Sequence, residues 1–537
     1  MTSGEISTDA DPSRKQLRWG VYGLLIALAV GNLTGRILAV TAADRFKLQA
    51  NIDKQVQRDL TKFREAQEKS GATAEVLEDR LQRKEAEIRS KRLNRSRPFL
   101  SGNDRSRWLT IRALVENGTY SIDHIVTDEQ ERAIWDTIDM VKHDRNGEEH
   151  LYSSKPTLLP TLLAGQYWVL NKATGLTLRD DTHAVVRIML LPVNIGCMLI
   201  IFLLTAKLCE RFGATDWGRF LVVAAATFGT LLTTFAVVLN NHLIAAASAS
   251  IALYAWIRIW HDKSHSPWYF VAAGFFGAFT AANELPALSF FALLGLALLC
   301  KAPRSTLLFG LPAAAIVIAA ALGTNYAAHK TVLPPYYFRA KEKDWTNGNW
   351  YNYSYELKRK TTDGEVVVRT IPSYWKPDAA SIASRAKIDQ GEKGREKYIL
   401  HCLVGHHGIF SLTPIWLLSL AGAAAMLCGG GGIRLRSLAA LITIPTIACL
   451  GFYLLQGVEN RNYGGTSSGL RWMIWFAPLW LCAMIPAADW SAGRLWRRLF
   501  AGLLLALSVM SASFPTWNPW SHPWISRLLI YLGWLEI

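Results

Sequence analysis

The chain has 537 residues, 51% of them hydrophobic, and a formal net charge of +16 at pH 7. The hydrophobic residues are gathered into long blocks, which is typical of a membrane protein, so the length alone sets no domain count. Lys and Arg stand beside these blocks without forming a basic stripe among aromatics, which argues against a nucleic-acid partner. The seven cysteines show no CxxC spacing and predict neither a disulfide framework nor a zinc site.

Apolar blocks of about 20 residues, the length that crosses a bilayer core of roughly 30 Å, recur along the chain. They predict an all-α polytopic membrane protein with about eleven transmembrane helices. The predicted spans cover residues 19–40, 184–207, 218–238, 242–260, 267–283, 285–300, 305–325, 409–428, 437–456, 472–488 and 499–514. The fifth and sixth spans share one continuous block, which we expect to break at Glu284 and Pro286.

The distribution of basic residues predicts the orientation, because short loops left in the cytoplasm carry an excess of Lys and Arg. With the N-terminus in the cytoplasm, every predicted inside segment is basic. This predicts an integral protein of the plasma (inner) membrane whose C-terminus is extracytoplasmic. The predicted divisions are a cytoplasmic N-terminus (1–18), a first transmembrane helix (19–40), an extracytoplasmic helical insert (41–97), an extracytoplasmic loop with an interfacial helix (98–183), transmembrane helices 2–7 (184–325), a second extracytoplasmic loop (326–408), transmembrane helices 8–11 (409–514) and an extracytoplasmic tail (515–537).

The outer segments contain further predicted elements. Residues 45–92 are rich in charged residues and interrupted at Gly71, which predicts a helical hairpin or stalk. The stretch from Thr157 to Leu170 is apolar but too short to span, so we expect an interfacial helix, and a second one near the C-terminus. A hairpin turn is predicted around Asp363 and Gly364.

The first candidate site residues lie in the loop 98–183. In SGNDRSRW, from Ser101 to Trp108, Asp104 stands at the expected start of an amphipathic helix. Its carboxylate is suited either to cap that helix or to act chemically. In YSSKPTLLP, from Tyr152 to Pro160, Lys155 is suited to bind a lipid phosphate or to reach the membrane surface as a snorkelling side chain.

Two more candidates lie where predicted spans reach the same outer surface. His242 follows Asn240 and Asn241 in a polar turn, and Glu284 interrupts an apolar block. Ionisable residues at membrane depth are costly and often functional, although each could simply be solvated at the interface.

Histidines and a glycine-rich loop complete the set of candidates. His401, His406 and His407 precede the eighth span, but no carboxylate in an HExxH pattern accompanies them, so phosphate contact or a structural role is expected rather than a metal site. The loop NRNYGGTSSGLRW, from Asn460 to Trp472, offers Arg471 and glycine amides to a phosphate and lacks the GK[ST] ending of a nucleotide P-loop.

Taken together, NDRSRW, ENGTY, SSKPTLLP and YGG…GLRW resemble motifs of the GT-C superfamily of polytopic membrane glycosyltransferases, in its protein O-mannosyltransferase and aminoarabinose transferase branch. The matching positions are Asp104, Arg107 with Trp108, Asn117 with Gly118, and Lys155 with Pro156. The chain departs from the family where Arg105 replaces a second acid and Thr157 replaces a second proline.

The resemblance implies an inverting glycosyltransferase that takes a sugar from a polyprenyl-phosphate donor at the extracytoplasmic face. It implies Asp104 as the general base for an acceptor hydroxyl. Donor phosphate contacts would fall to Lys155, Arg471, His406 and His407. The expected acceptor or accessory residues are Arg107, His242, Glu284 and Tyr463.

The expected partners are the lipid-linked sugar donor, membrane lipids and an acceptor that is a lipid, a glycan or a protein; no nucleic acid is expected. No cofactor is specified, no metal ligand is assigned, and assistance by a divalent metal is left open. Two other classes of function stay open. A transporter would use Glu284 and His242 along a substrate path, and a catalytically inactive GT-C-like scaffold would be built around the helical insert.

Overall fold

In a computed structural model of the full chain, the structure describes residues 12–40, 45–69, 74–93, 97–145, 147–339, 348–360, 366–375, 391–429 and 432–535. The helices in these ranges are α1 Pro12–Ala39, α2 Arg45–Lys69, α3 Ala74–Leu93, α4 Gly102–Glu116, α5 Asp123–Val126, α6 Glu129–Trp135, α7 Leu158–Thr174, α8 Thr182–Phe212, α9 Asp216–Phe235, α10 Asn241–Trp260, α11 Pro267–Asn283, α12 Leu285–Lys301, α13 Pro303–His329, α14 Arg395–Leu403, α15 Ile409–Leu412, α16 Trp416–Cys428, α17 Gly432–Leu454, α18 Arg471–Ser491, α19 Leu495–Ser513 and α20 Trp524–Tyr531. Short 3-10 turns occupy Pro335–Phe338 and Val458–Asn460.

Eight of these helices are long and apolar enough to cross a membrane, namely α1, α8, α9, α10, α13, α17, α18 and α19. The chain is therefore an integral membrane protein. The other three predicted spans correspond to α11, α12 and α16, which are 17 residues or shorter. At 1.5 Å per residue such helices fall short of a bilayer core of about 30 Å, so the predicted count of eleven is not confirmed.

The expectation of a purely helical fold needs a correction, because the described residues include two antiparallel hairpins. Strands β1 (Met140–Arg145) and β2 (Glu148–Ser153) form one, and β3 (Ser354–Lys360) and β4 (Val366–Pro372) form the other. The turn predicted at Asp363 and Gly364 lies outside the described residues, although strands flank it on both sides.

Several predicted local elements are present. The insert forms two helices, α2 and α3, that pack on each other; Gly71, between them, lies outside the described residues. Helices α7 and α20 are present where the two interfacial helices are expected, and their place at the membrane surface stays a prediction. Helix α4 ends at Glu116, and Gly118 follows with a φ of +68°, as expected of the turn at Asn117 and Gly118.

The two segments predicted to lie outside the membrane, 98–183 and 326–408, contact each other directly. The Lys142 amide donates to the Trp350 carbonyl at 2.9 Å, and the indole of Trp375 donates to the Ile138 carbonyl at 2.8 Å. The His143 ring stacks on Trp350 with centroids 4.0 Å apart. These contacts fix the hairpin β1–β2, which precedes Lys155, against the second outer segment.

One end of the bundle is held by a buried charge network. Arg18 makes a bidentate pair with Glu210, both bonds 2.8 Å long, and also reaches Asp216 at 3.3 Å. Tyr22 donates to the same Glu210 carboxylate at 2.7 Å. Because bidentate guanidinium pairs are geometrically specific, this network fixes α1 against the turn between α8 and α9.

Candidate functional site at the opposite end of the bundle

Five of the residues predicted as site candidates meet, together with Asp139, at the end of the bundle opposite the Arg18 network. Helix α10 begins at Asn241, α11 ends at Asn283, and α18 begins at Arg471. These helix ends bring together one set of side chains, which we call the charged cluster: Arg107, Asp139, Lys155, His242, Glu284 and Arg471.

Glu284 organises one half of the charged cluster. It lies just after the last residue of α11, where Pro286 prevents the helix from continuing, and its side chain is buried. Its carboxylate contacts His242 Nδ1 and accepts a 2.7 Å hydrogen bond from the side-chain amide of Asn241. Asn241 in turn accepts from Arg107 Nη2 at 2.6 Å, which connects α4 to the helix ends.

The tautomer of His242 follows from its partners. Arg471 Nη1 lies 3.2 Å from His242 Nε2 and can only donate, so Nε2 accepts and the proton resides on Nδ1, facing Glu284. His242 is therefore a neutral relay between a carboxylate and a guanidinium. Glu284 fixes the imidazole, and the imidazole fixes Arg471.

Lys155 and Asp139 form the other half. Lys155 Nζ lies 2.9 Å from Asp139 Oδ1 and donates to the Tyr336 hydroxyl at 3.0 Å. The hairpin pairing of Met140 with Ser153 sets this contact, because it places the residue before β1 beside the residues that follow β2. Lys155 is buried, whereas the side chain of Asp139 keeps 15% of its exposure.

The charged cluster has an excess of positive charge. Asp139 and Glu284 both interact electrostatically with Arg107 and Arg471. With His242 neutral, three cations face two carboxylates in a largely buried site. Such a site favours an added anion, and a phosphate with its several acceptor oxygens satisfies this requirement.

Asp104 takes part in a helix cap. Its carboxylate accepts hydrogen bonds from the backbone amides of Leu100, Ser101 and Arg105 at 2.8–3.0 Å and from the Ser101 hydroxyl at 3.2 Å. The Ser101 hydroxyl accepts from the Asp104 amide, which completes a capping box at the start of α4. Burial raises the pKa of Asp104, and Arg105 and these hydrogen bonds oppose the rise.

In the glycine-rich loop, two backbone amides expected to be available to a phosphate already have a hydrogen-bond acceptor. The amides of Gly464 and Gly465 donate to the side-chain oxygen of Asn462 at 2.8 and 3.2 Å. Gly464 has a φ of +94° and its carbonyl accepts from Arg471 Nε at 2.6 Å. A Cβ at Gly464 would lie 2.8 Å from the Arg471 side chain, so glycine is required there. The loop thus positions Arg471.

His406, His407 and Tyr463 lie together in a second group, which we call the histidine cluster and which also contains His401 and Glu392. His406 Nδ1 and His407 Nδ1 are 2.5 Å apart, and the Tyr463 ring stacks on His407 with centroids 4.4 Å apart. Burial lowers the pKa of His406 to about 4 and that of His407 well below its usual range. Both imidazoles are therefore neutral at pH 7.

Asp139 is the member of the charged cluster that sequence reasoning missed. The signal that could have revealed it is the Asn146-Gly147 dipeptide, a typical turn of a two-residue hairpin. Gly147 has a φ of +89°, as such a turn requires. Pairing the flanking strands about this turn would have brought Asp139 next to Lys155.

Comparison with known proteins gives limited guidance. No protein-family model matches the sequence, and no curated protein sequence matches it. The crystal structure of the Archaeoglobus fulgidus oligosaccharyltransferase in its apo form is similar at a TM-score of 0.39 and 12% identity, over 82% of this chain and 54% of that chain. The archaeal oligosaccharyltransferase AglB from Archaeoglobus fulgidus, in complex with an inhibitory peptide and a dolichol-phosphate, is similar at 0.37 and 13%, over 78% and 52%. The chain spans about half the length of these structures, and TM-scores below 0.5 are too low to decide its function.

Proposed function

We propose that the protein is a membrane glycosyltransferase that uses a polyprenyl-phosphate sugar as donor and a lipid, glycan or protein as acceptor. The observation that supports this most directly is the charged cluster, in which three cations and two carboxylates meet beside the ends of α10, α11 and α18. A polyprenyl chain would occupy the bilayer and bring its phosphate to this depth. Lys155, Arg107 and Arg471 would bind that phosphate and stabilise it as it departs.

The reaction also needs a base for the acceptor hydroxyl. The Glu284 carboxylate already contacts His242 and Asn241, so we consider Asp104 and Asp139 for this role. Asp104 is the one implied by the sequence resemblance, but it accepts four hydrogen bonds in a helix cap. Asp139 is partly exposed and paired with a single lysine. We therefore favour Asp139: a donor phosphate that attracts Lys155 would release the carboxylate to take a proton from the attacking oxygen.

With the N-terminus in the cytoplasm, the charged cluster faces the extracytoplasmic side, where lipid-linked donors are the accessible sugar source. Attack of the acceptor oxygen on the anomeric carbon, opposite the departing phosphate, inverts the configuration. His242 and Glu284 would hold Arg471 in place during this step. His406 and His407, the other two residues expected to bind the donor phosphate, contact each other and Tyr463. They would have to rearrange to contact a phosphate.

The test is transfer of radiolabelled sugar from a panel of polyprenyl-phosphate donors to membrane acceptors. The variants Asp139→Asn, Asp104→Asn and Ser101→Ala are compared at equal amounts of folded protein. If Asp139 is the base, Asp139→Asn lowers turnover about 10²–10⁴-fold while the other two variants retain it. Ser101→Ala is the matched control, because it removes the cap but keeps the Asp104 carboxylate. Turnover lost in Asp104→Asn alone would return the role to Asp104. No transfer from any donor would refute the proposed function.

A further inference from the structure

Glu392, His401 and His406 form a group that the proposed reaction does not use. One ligand atom from each residue lies within 4.8 Å of the others. Glu392 Oε1 is 4.0 Å from His401 Nε2, and the rings of His401 and His406 stack with centroids 4.1 Å apart. Two imidazoles and a carboxylate are a frequent ligand set for zinc and related divalent transition metals.

The surroundings leave one nitrogen of each imidazole facing the shared space. His401 Nδ1 is turned toward Gly405, where a Cβ atom would lie only 2.3 Å from it, so Nε2 is the available nitrogen. His406 Nδ1 contacts His407 Nδ1 at 2.5 Å, which leaves Nε2 of His406. The contact at His406 matches the usual arrangement of a metal-binding histidine, in which a hydrogen bond on the second ring nitrogen fixes the tautomer and orients the ring.

The site is also reachable. The side chains of Glu392 and His401 keep 32% and 23% of their exposure, whereas His406 is buried beneath them. Metal ligands at about 2.0–2.2 Å from zinc stand roughly 3.4 Å from each other in a tetrahedral site. The three ligand atoms, which lie within 4.8 Å of one another, therefore need to approach by at most about 1.4 Å.

We propose that Glu392, His401 and His406 bind one divalent transition metal ion of the zinc class, with the remaining position open. The metal would link residues 392, 401 and 406 within one segment of the chain. Arg461, from the glycine-rich loop, already donates to the carbonyl of Lys393 at 2.5 Å, and Tyr398 donates to the Asn462 carbonyl at 2.8 Å. A metal at Glu392 and His401 would stiffen the segment that abuts this loop, and the loop positions Arg471.

Metal binding can be measured without any sugar substrate, so its result is independent of the proposed transferase activity. The chain is purified without a polyhistidine tag and stripped with a chelator. It is then titrated with Zn²⁺, and with Co²⁺ to read the coordination from its visible absorption. We expect one equivalent of metal to bind per chain. The bound Co²⁺ should show the visible absorption of a low coordination number.

The variants distinguish a specific metal site from adventitious metal binding. Glu392→Gln, His401→Ala and His406→Ala should each weaken the Kd at least about 100-fold, and His407→Ala, which removes only the orienting partner, about 10-fold. His265→Ala serves as the matched control and should leave the Kd unchanged. Glu392→Gln is the variant that least disturbs packing, and a melting curve without metal verifies its fold. Zn²⁺ binding that is absent, or equal in wild type and the three ligand variants, would overturn the proposal.

Discussion

At the scale of single residues, the charged cluster depends on pairs whose members come from distant parts of the chain. Lys155 reaches Asp139 across a hairpin, and Arg471 reaches Glu284 only through His242. A buried charge that loses its partner is costly. Substituting one member should therefore affect both the binding of an anion and the order of the remaining side chains.

Replacing Lys155 with methionine keeps the length of the side chain and removes the charge. We expect Lys155→Met to raise the KM for the lipid-phosphate donor at least about 30-fold, because truncating one partner of a buried charge pair costs roughly 2 kcal/mol or more. Initial rates at varied donor concentration measure this. Lys142→Met is the control, since Lys142 pairs with Glu149 in a more exposed position. Equal KM values for the two variants would contradict a role of Lys155 in donor binding.

At the scale of elements, His143 connects the hairpin β1–β2 to Trp350 and to the end of α13. His143 lies between Tyr152 and Trp350, with centroids 4.4 and 4.0 Å away, and its Nε2 is 3.0 Å from His329 Nδ1 at the end of α13. Burial lowers the pKa of His143, and the neighbouring Asp144 carbonyl partly opposes this. The hairpin β1–β2, and with it Asp139, is therefore held in place by a neutral imidazole.

This arrangement predicts a pH dependence of stability. The pKa of His143 is about 6.5 in the unfolded chain and lower in the folded protein. Below about pH 6.5 the unfolded chain therefore binds a proton at His143 that the folded protein does not bind. The free energy of unfolding falls as the pH drops through this range and does not depend on His143 at higher pH. His143→Phe keeps a ring in the stack and cannot titrate. Between about pH 7 and about pH 5, we expect the melting temperature of His143→Phe to fall less than that of wild type. The control His265→Phe should behave like wild type. An unchanged pH slope in His143→Phe would assign the effect to other groups.

At the scale of the whole molecule, the bundle has two distinct ends. One holds the network of Arg18, Tyr22 and Glu210, and the other holds the charged cluster and the outer hairpins. The basic residues of the short loops lie beside the helix ends on the Arg18 side, which is the arrangement expected if that side is cytoplasmic. The orientation thereby decides which compartment supplies substrate to the charged cluster.

Reporter fusions test the orientation. Alkaline phosphatase fused after Ile537 should be active in a bacterial host, because the C-terminus is expected outside, and a fusion after Lys263 should be inactive, because the loop between α10 and α11 is expected inside. Green fluorescent protein at the same positions should give the opposite pattern. A reversed pattern would place the charged cluster in the cytoplasm and make a nucleotide-activated donor the more natural substrate.

The membrane class, the break at Glu284, the helical insert and the helices α7 and α20 could be read from the sequence, because they follow from local hydropathy, proline and glycine. The sequence also identified five members of the charged cluster, Arg107, Lys155, His242, Glu284 and Arg471, as candidates. Tertiary structure alone decided that these five meet, that Asp139 joins them, that Asp104 caps a helix, and that His406 and His407 form a separate group. The reason is physical: capping and hydropathy act within a few residues of the chain, whereas the partner of a buried charge is chosen by the packing of helices and hairpins that are remote in sequence.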